Sequence, residues 1–228
     1  MTLVIAHRGA SAAAPENTVE AFRLAVGMGA DGIELDVRRT VDDVLVVHHD
    51  AHVDGDAAIC RLRRDELPAS IPSLHEALDA CVGAFVNIEI KNDPSDPDFD
   101  PDDQVAVAVA ARLAAIDTSS RWLISSFRLA TVDAMRRLLP AVRTAWLVMD
   151  AAPDVLAITS ASGHVAVHPW VHDVTEASIR AAHALGLAVN IWTCDDPDRM
   201  RDLIAWGVDG ICTNRPDVAL AVRRSVRR

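Results

Sequence analysis

The sequence predicts an α/β fold, a single (β/α)8 TIM barrel with a β-hairpin arm after strand 2, on three observations. Short β-branched runs alternate with alanine- and leucine-rich stretches along the chain, the pattern of a parallel sheet covered by helices. Nine strand candidates are present, and the second and third are joined only by Thr40-Val41-Asp42-Asp43. Four residues cannot make a parallel crossover, which takes about a dozen, so that pair is a hairpin and eight strands remain to close a barrel. Finally, 228 residues fall just below the roughly 250 typical of such barrels. That leaves no room for a second domain, so residues 1–228 read as one. A doubly wound open sheet is the alternative, and the lack of a GxGxxG after an early strand weighs against it.

The elements follow in order. Leu3–His7 is a short apolar run that ends in polar residues. Thr18–Met28 has helical spacing, with Asn17 and Thr18 as cap candidates. In Gly32–Arg39 the two-residue period puts Ile33, Leu35 and Val37 on one face and Glu34 and Asp36 on the other. Val44–His49 is the returning arm of the hairpin, and its adjacent His48 and His49 must point to opposite sides. Helix Leu74–Cys81 leads to strand Phe85–Lys91, where Glu89 and Lys91 share a face opposite Ile88 and Ile90. Helices at Gln104–Ala115, Leu129–Leu139, Thr175–Leu185, Pro197–Trp206 and Asp217–Val226 alternate with strands at Trp122–Ser126, Arg143–Val148, His164–His168, Ala188–Thr193 and Gly210–Thr213.

Two segments lie outside this pattern. Asp93–Asp103 holds six aspartates and three prolines and reads as a solvated surface loop. It lacks the sixth-position Gly and closing Glu of an EF-hand. The terminal Arg223, Arg224, Arg227 and Arg228 read as a solvated, frayed helix end.

Composition narrows the function. With 33 acidic against 22 basic residues the formal charge is −11, which excludes nucleic acid as the main partner. No apolar run approaches the roughly 18 residues of a spanning helix, so membrane insertion is not expected. Only five uncharged residues separate Met1 from His7, too few for a signal-peptide core. Cys60, Cys81, Cys194 and Cys212 form no CxxC and read as reduced thiols of a cytoplasmic protein rather than as a zinc site.

Barrel chemistry sits at the C-terminal ends of the strands. There this chain places His7 and Arg8, Glu34 and Asp36, Glu89 and Lys91, Ser125-Ser126-Phe127, His168, Trp192-Thr193 and Thr213-Asn214. Inward carboxylates are costly unless paired or bound to a cation. Glu89 with Lys91 or Arg8 would satisfy one, but Glu34, Asp36 and Glu89 together point to a divalent metal. An all-oxygen set selects Mg2+ or Ca2+, with Mn2+ as a third option, over zinc. His7, with one of His48 and His49, supplies an acid/base pair, and Arg8 and Lys91 clamp an anionic oxygen. Together these groups suggest phosphoryl transfer or phosphodiester cleavage.

The ordered motifs His7-Arg8-Gly9-Ala10, Pro15-Glu16-Asn17-Thr18, Glu34-Leu35-Asp36-Val37, Thr40, Asp42, His49-Asp50, Ile71-Pro72-Ser73-Leu74, Glu89-Ile90-Lys91, Ser126-Phe127, Trp192-Thr193 and Val208-Asp209-Gly210-Ile211 span nearly the whole chain. In this respect the sequence resembles the glycerophosphodiester phosphodiesterases. The resemblance implies a TIM barrel and a divalent cation held by Glu34, Asp36 and Glu89. It implies His7 and His49 as the acid/base pair and selects His49 over His48. It also implies phosphate binding by Arg8 and Lys91, a substrate wall at Trp192, and site shaping by Glu16 and Asn17. The implied reaction is hydrolysis of a small glycerophosphodiester to glycerol 3-phosphate and an alcohol through a cyclic phosphate. A lysophospholipase D-like activity and a non-catalytic phosphodiester-binding barrel are the alternatives. The chain departs from the family in its short Ala51–Arg61 segment and in Asn214, where Asp is commoner. The second change is expected to loosen support near strand eight.

Overall fold

The computed structural model describes residues 1–53, 55–116 and 119–226. Its strands are β1 (Leu3–His7), β2 (Gly32–Arg39), β3 (Leu45–Val47), β4 (His52–Val53), β5 (Ala57–Ala58), β6 (Phe85–Ile90), β7 (Trp122–Ser126), β8 (Arg143–Val148), β9 (Ala166–Pro169), β10 (Ala188–Ile191) and β11 (Gly210–Thr213). The helices are α1 (Val19–Met28), α2 (Leu74–Ala80), α3 (Gln104–Ala114), α4 (Leu129–Leu138), α5 (Pro153–Ala161), α6 (Glu176–Ala184), α7 (Pro197–Ala205) and α8 (Pro216–Val226). The main sheet runs β1-β11-β10-β9-β8-β7-β6-β2, and β1 pairs again with β2 to close it. Every barrel pairing is parallel, and β3 alone runs antiparallel against β2. The predicted eight-stranded barrel with a hairpin arm is therefore the observed fold. Among the described residues no helix is long and apolar enough to cross a membrane.

Strand alternation builds the core in two shells. Outward residues such as Ile33, Leu35, Val37, Val86, Ile88 and Ile90 pack under helices α1 to α4. The other half of the ring packs Val167, Val189, Ile191 and Ile211 under α5 to α8. The N-terminal end of the bore is closed by Leu123, Ala145 and Ala166, with Ala188 against them. The Phe85 ring completes this floor: a Cβ on Gly32 would lie 2.3 Å from it. The floor is apolar, so the polar inward residues gather toward the opposite mouth.

Three segments differ from expectation. Helix α5 was not anticipated; it buries only Leu156 and Thr159, leaving no amphipathic stripe to read, and its one clear signal is Pro153 in the first turn. The Asp93–Asp103 segment is a loop, as expected, but most of its carboxylates are not free. Asp96 and Asp98 pair with Arg38, Asp100 caps the Val105 amide at 2.8 Å, and Asp103 takes bonds from Arg128, Thr131 and Asn92. The C-terminal helix is likewise not frayed at Arg223, which donates to the Thr2 carbonyl at 3.0 Å and pairs with Asp31. Arg227 and Arg228 lie outside the described residues.

Candidate active site

Register brings the acidic residues together. Asp36 on β2 is paired with Glu89 on β6, and Glu34 lies two residues earlier on the same inward face. One oxygen from each of Glu34, Asp36 and Glu89 lies within 4.8 Å of the others, the only such grouping among the described residues. All three are buried. Their surroundings differ. Glu34 Oε2 accepts the Arg8 amide at 2.9 Å, while Oε1 is buried with no partner. Burial, then the adjacent Asp36 and Glu89, pushes the Glu34 carboxyl well above the ordinary carboxylate range. Burial also raises Glu89, against the pull of Lys91, whose Nζ donates to its Oε1 at 2.9 Å. For Asp36 burial acts upward, but Lys91, Arg8 and the Asn17 amide outweigh it and hold the carboxyl low. Asn17 Nδ2 donates to Asp36 Oδ2 at 2.8 Å, Arg8 Nε lies 3.2 Å from that oxygen, and Lys91 Nζ lies 3.7 Å from Oδ1.

Two cations thus serve three carboxylates, and one Glu34 oxygen is left buried without a partner. Such a set fits a hard divalent cation, which takes oxygen ligands and removes the like-charge conflict.

The turn after β1 depends on its sequence. Gly9 sits at φ +84 against α1, where a Cβ would meet the Ala21 backbone at 2.6 Å. Arg8 adopts φ 55, which aims its amide at Glu34 and its guanidinium at Asp36 and Glu16, the latter at 2.9 Å. Asn17 also lies in the left-handed region, at φ 56, a conformation Asn tolerates better than most residues. Thr18, not Asn17, caps α1, accepting from the Ala21 amide at 3.2 Å. Asn17 is thereby left to hold Asp36.

Each candidate histidine is held through Nδ1. His7 Nδ1 is 2.7 Å from Asn214 Oδ1. The Asn214 amide is oriented by Asp195, a pure acceptor, which takes Nδ2 at 2.6 Å and the backbone amide at 2.8 Å. Asn214 Oδ1 must therefore accept from His7, and the proton sits on Nδ1. Asn214 does not loosen strand eight as expected, because Asp195 also holds Thr213 at 2.7 Å and Ser11 lies 2.9 Å from Asn214 Oδ1. Burial, with Arg8 alongside, keeps the His7 imidazole below its ordinary value. His49 follows the last hairpin pair, Val37 with Val47, and its Nδ1 is 2.7 Å from Asp50 Oδ1. It lines a cavity of about 250 Å³ with Glu89, Lys91 and Phe127, whereas His48 lines a separate surface depression with His52 and Ser70.

The opposite wall is aromatic. Trp192 stands edge-to-face with Phe127 at 5.4 Å, and its indole N–H donates to the His168 carbonyl at 2.8 Å. Below the triad, a cavity of about 30 Å³ is bordered by Glu34, Asn87, His168 and Asn190. His168 is buried there as the neutral ring, its pKa lowered to about 3 by burial, with Asn190 Nδ2 2.9 Å from its Nε2. The Cys194 side chain does not line this cavity and instead borders an outer groove beside Arg199 and Trp206.

Sequence reasoning missed Arg38 and the Asp195–Asn214 pair. Arg38 lies two residues beyond Asp36 on the same inward face, so strand periodicity was a usable signal. It is 2% exposed, and its guanidinium bonds the His49 carbonyl, Asp96 and Asp98.

Comparison with known proteins identifies the family and the fold. The model of the glycerophosphoryl diester phosphodiesterase family matches residues 7–218. The chain is 30% identical over 257 residues to a glycerophosphodiester phosphodiesterase of Bacillus altitudinis, with 100% of each chain covered. A glycerophosphodiester phosphodiesterase structure from Parabacteroides distasonis matches with TM-score 0.85 and 25% identity, over 99% of this chain and 97% of that one. A phosphodiesterase of Oleispira antarctica, solved with the product sn-glycerol-3-phosphate, shares the fold with TM-score 0.89 and 23% identity, over 98% and 97% of the two chains.

Proposed function

Because the chain belongs to the glycerophosphoryl diester phosphodiesterase family, we propose that it hydrolyses small glycerophosphodiesters to glycerol 3-phosphate and an alcohol at this mouth. The observation that carries the reading is the convergence of an all-oxygen triad, two imidazoles anchored through Nδ1 and two cationic side chains. The molecule held by the Oleispira protein is the phosphate product such a reaction releases. Residues 1–228 act as one catalytic domain, and the four unpaired cysteines suit the reducing cytoplasm.

Glu34, Asp36 and Glu89 would hold a divalent cation, Mg2+ or Ca2+ with Mn2+ as a third option. When bound, such an ion supplies Lewis-acid polarisation of a phosphoryl oxygen. Arg8 and Lys91 are positioned to offset the charge of the phosphodiester, and Trp192 with Phe127 offers the glycerol carbons an apolar wall. A neutral His7 with its proton on Nδ1 has a bare Nε2, the form of a general base. It takes the proton of the glycerol hydroxyl next to the ester as that oxygen attacks phosphorus. His49, its Nδ1 proton directed at Asp50, donates from Nε2 to the departing alkoxide, so the P–O bond to the alcohol breaks and a cyclic phosphate forms. In the second half the roles reverse: His49 takes a proton from water, which adds to phosphorus, and His7 returns its proton to the glycerol oxygen. Each histidine ends as it began.

A specific observation favours a second substrate class. Phe127 and Met149, at the C-terminal ends of β7 and β8, are exposed, and Trp146 Nε1 donates to the Phe127 carbonyl. This apolar side of the mouth suits a lysophospholipase D-like reaction on a chain-bearing phosphodiester.

The test is a panel of glycerophosphocholine, glycerophosphoethanolamine, glycerophosphoinositol and lysophosphatidylcholine, each with Mg2+, Mn2+, Ca2+ or chelator. Expected are cation-dependent release of glycerol 3-phosphate and a loss of about 10²–10⁴-fold in kcat for His7→Ala and His49→Ala. Tight binding of one member without turnover would replace the reading with a phosphodiester-binding barrel.

A further inference from the structure

The acidic loop has a use that the reaction scheme leaves unassigned. The hairpin's bonding to β2 ends at the His48 amide, which donates to the Asp36 carbonyl at 3.0 Å, so the sheet does not hold the His49 carbonyl. Its carbonyl is instead chelated by Arg38, from Nε at 2.9 Å and Nη2 at 2.7 Å. The rest of the guanidinium is engaged by the loop: Nη1 donates to both oxygens of Asp98, at 2.8 and 2.7 Å, and Nη2 to Asp96 at 3.0 Å. The loop is anchored in turn. Asp103 accepts from Thr131 and Arg128 at 2.6 Å each, and Asn92 binds the Asp100 carbonyl at 2.9 Å. Polar bonds at both ends of the loop, joined by its main chain, thus link α4 through Arg38 to the main chain of His49.

We propose that Arg38, Asp96 and Asp98 form a positioning clamp that fixes the His49 imidazole over the mouth; this rests on the reading of His49 as the general acid. The clamp touches no substrate atom and acts only through the His49 carbonyl. Arg38 is buried, so loss of Asp98 leaves a guanidinium edge without an acceptor. The group then turns toward Asp96 and releases the carbonyl. A displacement of about 1 Å at a catalytic group costs on the order of 10²-fold in rate.

Leaving-group chemistry separates this role from a general structural one. An alkoxide such as choline's must be protonated as it leaves, whereas 4-nitrophenolate leaves without an acid. Asp98→Ala, Arg38→Lys and His49→Ala would be compared with wild type on glycerophosphocholine and on the 4-nitrophenyl ester of glycerol phosphate. The cation is whichever of Mg2+, Mn2+ or Ca2+ supports the fastest turnover, and Mn2+ affinity is measured alongside by calorimetry. Asp98→Ala and Arg38→Lys are expected to lower kcat on glycerophosphocholine by about 10- to 100-fold. First-turnover release of 4-nitrophenolate, which precedes the water step that also uses His49, and Mn2+ affinity should stay within about twofold for Asp98→Ala, and Asp98→Asn, which keeps one acceptor, should recover part of the loss. Equal slowing of first-turnover alcohol release from both substrates by Asp98→Ala and Arg38→Lys, or from neither, while His49→Ala slows that release only from glycerophosphocholine, would overturn the clamp. If His49→Ala itself does not discriminate between leaving groups, the acid assignment fails and the clamp fails with it.

Discussion

Replacing Glu34 with glutamine should stabilise the cation-free protein and remove most of its response to cations. Glu34 has an oxygen within 4.8 Å of its counterparts on Asp36 and Glu89, and its own Oε1 is buried without a partner. At an effective dielectric near 20, an ionised Glu34 at that separation would be repelled by each neighbour by about 3 kcal/mol, the conflict that, with burial, pushes its carboxyl well above the ordinary range. Arg8 offsets part of this through its amide bond to Oε2 at 2.9 Å. Glutamine keeps an acceptor for that amide and turns N–H groups toward the two remaining acids, for a net gain of about 1–2 kcal/mol. For a chain of this size that is a rise of roughly 2–8 °C in melting temperature in chelator. Wild type should behave in the opposite way: cation at a hundredfold over its Kd adds about 2.7 kcal/mol, or roughly 5–11 °C. The variant should move by less than about 2 °C, since a ligand oxygen is gone. Scanning calorimetry with chelator, Mg2+, Ca2+ and Mn2+ reads all of these shifts. If Glu34→Gln is less stable than wild type in chelator, Glu34 is a structural partner of Arg8, and the metal reasoning is refuted.

Three further outcomes follow from the same geometry. Asn17→Gly and Asn17→Ala both remove the bonds to Asp36, so each should weaken cation binding by about 10- to 100-fold in calorimetry. At φ 56 alanine should also be less stable than glycine by about 1 kcal/mol in urea, and equal stability would refute the backbone argument. His168 is neutral when folded, with a pKa of about 3 against 6.5 for the free side chain. Below pH 6.5 the unfolded chain binds a proton the native state refuses, so this contribution is complete above pH 6.5 and is lost as pH falls toward 3, at about 1.4 kcal/mol per unit. His168→Gln should flatten the stability profile between pH 6 and 4 by about one proton; an unchanged slope would contradict the assignment. Asn214→Asp sets a carboxylate against Asp195, whose Oδ2 now takes the Asn214 amide at 2.6 Å. The single variant should lose about 10-fold or more in kcat, and the double variant Asp195→Asn with Asn214→Asp should recover it, so additive losses would show that the pair does not orient His7.

The barrel was legible because its strands carry a strict two-residue alternation and only one connection is too short for a crossover. Boundaries moved where local chemistry intervened: the second hairpin arm ends at Val47, its last bond to β2 is the His48 amide on the Asp36 carbonyl, and the His49 carbonyl turns to Arg38 instead. The triad was legible for the same reason as the barrel, since inward carboxylates on neighbouring strands must converge. Arg38 shared that face and was overlooked, although the periodicity that exposed Glu34 and Asp36 applies to it equally. Its partners were not readable. Asp96 and Asp98 lie 58 and 60 residues away in a segment whose composition points to solvent, and pairing at that separation leaves no local pattern. Asp195 and Asn214, 19 residues apart on successive strand ends, are hidden in the same way. The aspartate-rich loop shows the limit of composition: a run of acids signals exposure only when no buried arginine waits for it.

Phosphorus NMR of glycerophosphocholine incubated with the protein tests the central claim most directly, because it reads which P–O bond breaks and whether a cation is needed. The account predicts glycerol 3-phosphate with free choline, a transient cyclic phosphate signal, arrest by chelator and recovery when the cation is restored. Release of phosphocholine and glycerol, or turnover unchanged by chelator, would contradict it.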